Sequence, residues 1–69
     1  MRFLLRELRQ SRGMSQQMLS ARSQVSRSAI ERLETGFSQP SLETAYKIAT
    51  ALGCTLDELV AETEEQKHV

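Results

Sequence analysis

The stretch from Ser15 to Gly36 reads SQQMLSARSQVSRSAIERLETG, and its reading decides the fold. Ser15 and Ser26 each precede a helix-forming run and offer a hydroxyl to the N–H groups that a first helical turn leaves unpaired. Ser15 therefore starts a short helix from Gln16 to about Arg22, with Leu19 and Met18 turned inward. Ser26 starts another that runs through about Thr35, with Ile30 and Leu33 as its apolar pair. Gly36 stops that helix, because glycine takes the left-handed closing conformation without a Cβ penalty. The segment Ser23-Gln24-Val25 between the two is too short to cross a protein, so the helices meet at a tight turn.

Outward from this pair the pattern stays helical. On the N-terminal side Phe3, Leu4, Leu5 and Leu8 give one apolar side of a first helix, which Ser11-Arg12-Gly13 ends, and Met14 packs back on the core. On the C-terminal side Pro40 holds a loop extended, and Ser41 caps a helix in which Leu42, Ala45, Ile48, Ala49 and Leu52 recur at helical spacing before Gly53. Thr55 and Glu58 form a T-x-x-E capping box for a short fifth helix that carries Leu56, Leu59 and Val60 inward. No segment alternates with period two over more than a few residues, so no strand is expected. The expected fold is all-α with five helices, a single domain over residues 1–61, and an acidic, frayed tail over residues 62–69.

Nine Lys plus Arg balance nine Asp plus Glu, and a net charge of zero argues at first sight against nucleic acid. The halves differ, however. From Arg2 to Arg32, seven arginines face only Glu7 and Glu31, a balance of +5; from Leu33 onward two lysines face seven acidic residues, a balance of −5. Such asymmetry points to a basic working surface. Cys54 has no partner for a disulfide, and neither it nor His68 completes a zinc site or a catalytic group. No phosphate-binding glycine loop is present, and no apolar run approaches the roughly 18 residues of a membrane span. Met1 to Arg6 is too short for the apolar region of a signal peptide. The expectation is a non-enzymatic cytoplasmic protein with no catalytic residue, metal or cofactor, and with no room for a ligand pocket of about 300 Å³.

Two short helices joined by a three-residue turn, the second opening on Ser26-Arg27-Ser28, form the arrangement that sets a helix in the major groove of DNA. Together with Leu5-Arg6-Glu7-Leu8-Arg9, Gly13-Met14-Ser15-Gln16, Leu19, Val25, Ile30, Glu34, Gly36, Pro40-Ser41-Leu42-Glu43-Thr44 and Leu52 to Leu59, they make the chain resemble the phage-repressor type of helix-turn-helix protein, the Cro and lambda-repressor-like or XRE-like family. That resemblance implies a sequence-specific transcriptional regulator, a repressor that binds a palindromic operator on double-stranded DNA as a homodimer. It implies phosphate contact at Gln16 and Gln17, with Gln16 also bracing the recognition helix, DNA contact at Ser26, base-edge contact at Arg27 and Ser28, contact with a base or the backbone at Arg32, and a phosphate clamp of backbone amides and short side chains at Thr35, Ser38 and Gln39. It further implies a structural ion pair between Arg9 and Glu34, and a dimer surface around Leu56, Leu59 and Val60. The chain departs from the family where a turn glycine is usual and Gln24 stands instead, which requires a left-handed backbone or an adjusted turn. An alternative from another class keeps the fold but makes protein contact primary: an antitoxin that neutralises a toxin, meets it through the acidic tail and represses its own operon. Membrane contact and a small-molecule ligand are not expected.

Overall fold

The structure, a computed structural model, describes residues 2–61. In chain order it contains β1 (Arg2–Phe3), α1 (Leu5–Ser11), α2 (Gln16–Ser23), α3 (Arg27–Glu34), α4 (Leu42–Leu52), α5 (Leu56–Leu59) and β2 (Val60–Ala61). The expected acidic tail lies outside the described residues.

Local chemistry accounts for most boundaries. The hydroxyls of Ser15, Ser26 and Ser41 accept from the N–H groups of Met18, Ala29 and Thr44, and each fixes the first turn of its helix. Thr55 and Glu58 exchange side-chain and backbone bonds in a complete capping box, which lets a single turn, α5, stand as a helix. Each helix then supplies one fully buried side chain to a shared core: Leu5, Leu19, Ile30, Ile48 and Leu59. Met14, Val25, Leu33, Ala49 and Leu52 complete it. Truncating any of the five to alanine removes about 2 to 5 kcal/mol, so this small core holds all five helices in one mutual arrangement.

Three expectations need correction. The first helix does not include Phe3 and Leu4. Leu4 has no side-chain oxygen to cap a helix, and its N–H instead donates to the Leu59 carbonyl at 2.7 Å. Phe3 and Val60 then pair in a two-residue antiparallel ladder, Arg2 opposite Ala61, so the chain does contain strands and Val60 leaves helix five. Two residues cannot display a period of two, and the pairing was therefore invisible to periodicity. Finally, Met18 and Leu42 are 43% and 77% exposed: Leu19 takes the inward direction in α2, and Leu42 stands in the first turn of α4, before that helix meets the core.

The turn between α2 and α3 is the strained point. Gln24 adopts φ +61°, the left-handed region, and its N–H donates to the Ser20 carbonyl at 2.9 Å. The buried Ser23 hydroxyl steadies this turn by donating to the Leu19 carbonyl and accepting from the Val25 N–H. A left-handed backbone costs a side-chain-bearing residue roughly 1–2 kcal/mol, of which the added chain entropy of glycine returns about half. Gln24→Gly is therefore expected to stabilise the protein by about 0.5–1 kcal/mol and to raise its melting temperature by about 2–6 °C in a thermal melt.

Candidate nucleic-acid interface

The inward side of α3 carries Ile30 and Leu33, with the half-buried Ala29 and the buried side chain of Glu34 beside them. Its other side presents Arg27, Ser28, Glu31, Arg32 and Thr35, all exposed. The α2–turn–α3 unit thus holds a short helix by its apolar side and leaves a polar side open to a partner.

The basic half of the chain divides by what its arginines touch. The Glu34 side chain is fully buried, and two nitrogens of Arg9 donate to it, Nε to Oε2 at 2.6 Å and Nη2 to Oε1 at 3.2 Å. Arg9 Nη1 donates to the Met14 carbonyl at 2.7 Å, so one guanidinium ties α1, the connection to α2 and the end of α3 together. Gln16 Nε2 donates to Glu34 Oε1 at 3.1 Å, and the half-exposed Arg6 adds a longer ion pair at 3.5 Å. Burial alone would raise the Glu34 carboxyl pKa, but the hydrogen bonds from Arg9 and Gln16 and the charge of Arg9 outweigh it and hold the group below the ordinary carboxylate range. Arg12 donates to the Leu52 carbonyl and so closes the C-terminus of α4. The side chains of Arg22, Arg27 and Arg32 remain exposed, with no hydrogen bond or ion pair among the described residues. The +5 of the N-terminal half is thus partly spent inside the fold, and α3 carries two of the three guanidinium groups that stay uncommitted among the described residues.

The loop after α3 differs from expectation. Gly36 at φ +80° lets the Gly36 and Phe37 N–H groups return to the Leu33 and Arg32 carbonyls, the Schellman closure of a helix. Ser38 N–H also reaches the Arg32 carbonyl, and Thr35 N–H that of Glu31. The backbone amides of residues 35–38 are therefore already engaged, and the expected amide clamp on phosphate is corrected at Thr35 and Ser38. What the loop offers outward is side chains: Thr35 and Gln39 are exposed and Ser38 is half-buried. At the start of α2, Gln17 is exposed, whereas Gln16 is half-buried and braced on Glu34. Ser26 is committed to its cap.

Two further expectations fail. Leu59 is fully buried in the monomer and offers no surface to a second copy, while Leu56 and Val60 are half-buried. All three line an open groove of about 680 Å³ between α1, the α3–α4 loop, α4 and α5, together with Leu33, Pro40 and Ala45. The premise that so small a core leaves no room for a pocket is thus corrected, because the space lies between helices at the surface and not within the core. The sequence reading missed Arg12 as a helix-closing residue and Glu31 as part of the open side of α3. The first pairs with a carbonyl 40 residues away and left no local signal; the second was legible from its spacing to Arg27 and Thr35.

Burial raises the Cys54 thiol pKa, which disfavours a reactive thiolate. Among the described residues no group of three His, Cys, Asp or Glu side chains is placed to hold a metal, and no helix is long and apolar enough to cross a membrane.

Comparison with known proteins gives concordant matches. The helix-turn-helix family model matches residues 5–59. The HTH-type transcriptional regulator y4dJ of Sinorhizobium fredii is 40% identical over 58 residues, 84% of this chain and 75% of that protein. An HTH-type transcriptional regulator of Methanothermobacter thermautotrophicus is 47% identical over 53 residues, 77% of each chain. Among solved structures, the restriction-modification controller protein C.AhdI from Aeromonas hydrophila matches with a TM-score of 0.78 at 41% identity, over 81% of this chain and 85% of that one.

Proposed function

The chain belongs to the helix-turn-helix family, in its phage-repressor or XRE-like form, and on that premise we propose that this DNA-binding transcriptional regulator is a repressor that recognises a palindromic operator as a homodimer. The protein acts without catalysis and works in the cytoplasm. α3 enters the major groove, where Arg27, Ser28 and Arg32 meet base edges and neighbouring phosphates. Gln17 and the side chains of Thr35, Ser38 and Gln39 meet the backbone on either side. Gln16 contributes its remaining amide hydrogen from a side chain already braced on Glu34.

The observation that carries this reading is the open side of α3: an exposed helix face with two uncommitted arginines, on a frame whose buried charges are satisfied among the described residues. An arginine at such a place reads guanine through O6 and N7. The second copy packs at the groove beside Leu56 and Val60, where Leu42 also stands exposed.

The test is selection of bound duplexes from a random pool by the full-length protein. Enrichment of two inverted half-sites about 34–36 Å apart, one helical turn, is the expected result. A single unpaired half-site would remove the homodimer, and a pool without any enriched sequence would remove specific recognition altogether.

A further inference from the structure

We propose that Glu31 reads the exocyclic amino group of a cytosine in the major groove, an inference that rests on α3 being the base-reading helix. Glu31 lies one turn after Arg27 and one turn before Thr35, in the middle of the exposed side of α3. Its spacing to Arg27 suits an i,i+4 ion pair, yet neither Arg27 nor Arg32 pairs with it among the described residues, where Glu43 and Lys47 on α4 do pair at that spacing.

A carboxylate held in the centre of a DNA-facing surface opposes the phosphates of every duplex, whatever its sequence. That opposition is offset where the carboxylate accepts a hydrogen bond from a base. The major groove offers two such donors, the N4 amino group of cytosine and the N6 amino group of adenine. Ionised, Glu31 can only accept, and adenine sets its N7 acceptor beside N6, so one carboxylate oxygen would face a lone pair there. Cytosine presents its amino group with no acceptor on the same edge. Its partner guanine presents O6 and N7 to a neighbouring arginine, so Glu31 together with Arg27 or Arg32 can read both bases of one pair. The repulsion of all other sequences then adds to selectivity, because a wrong base leaves the carboxylate unpaired.

The experiment compares full-length wild-type protein and Glu31→Gln in selection from a random duplex pool, followed by titration of the selected and a scrambled duplex. The wild type is expected to enrich cytosine at one position of each half-site. Glutamine both donates and accepts, so Glu31→Gln is expected to shift that position toward adenine or to lose the preference. Affinity for the wild-type site falls roughly tenfold, while affinity for the scrambled duplex rises about threefold as the repulsion is lifted. The thermal melt stays unchanged because the side chain is exposed. Unchanged selected sequences, with both affinities raised by the same factor, would overturn the inference and leave Glu31 as a repelling charge only. A wild-type protein that enriches no sequence would instead remove the base-reading role of α3 itself.

Discussion

Glu34→Ala is expected to unfold most of the protein at temperatures where the wild type is folded. The variant leaves Arg9 buried without its carboxylate and strips Gln16 and Arg6 of a shared partner. Removing one member of a desolvated ion pair costs about 3–5 kcal/mol. Stabilities of about 0.05–0.15 kcal/mol per residue leave a chain of this length little margin against such a loss. A melt should show the transition lowered by about 15 °C or more, and an unchanged melt would contradict the structural role of the pair. The pH dependence has a definite sign. Because the folded-state pKa of Glu34 lies below its unfolded value, the pair stabilises the fold fully above the ordinary carboxylate range and less as pH falls through the folded pKa. Wild-type protein should therefore lose stability on acidification that Glu34→Gln does not lose.

Arg27→Ala has its large effect on recognition instead. Loss of one bidentate arginine–guanine contact removes about 1–3 kcal/mol of discrimination, so affinity for the preferred site should fall by about tenfold or more while affinity for scrambled DNA changes little. Equal loss on both duplexes would make Arg27 a phosphate contact. The free protein should respond in the opposite sense. Arg27 is the first residue of α3, where the helix dipole opposes a cation, and its removal should stabilise the unbound fold by about 0.3–1 kcal/mol. A residue that costs stability and gains recognition is what a binding surface selects, whereas Glu34 holds that surface in place.

The parts of this fold legible in the sequence are those written over three or four residues. Ser15, Ser26, Ser41 and the Thr55–Glu58 box announce helix starts because cap and capped amide are three residues apart. Gly36 and Gly53 announce ends for the same local reason, whereas at Gln24 the sequence leaves a left-handed backbone and an adjusted turn both open, and only the fold selects the first. The ladder of Phe3 with Val60 and the bond from Arg12 to Leu52 join residues far apart in the chain, and nothing in either partner alone predicts them. Direction within a helix was legible for the centre of α4 but not for Leu42 in its first turn, where the chain has not yet met the core. The helix-closing amides of residues 35–38 were also hidden: the glycine was visible, but not that closing the helix would consume the donors expected for phosphate.

The charge of the chain illustrates the same division. Counting arginines located the basic half, and only the fold separates those that hold it together, Arg9 and Arg12, from those left for a partner, Arg27 and Arg32. A molecule neutral overall, with few uncommitted cations on one helix, has little general attraction for DNA and must rely on correct base contacts.

The most direct measurement is therefore the affinity of the full-length protein for its selected duplex and for a scrambled duplex of equal length, titrated over a range of salt. Both should weaken as salt rises, with a slope of about −0.9 in log affinity for each neutralised phosphate, and the selected duplex should keep a preference of about 10³ or more. Equal affinity for the two duplexes at every salt concentration would contradict reading of bases by α3.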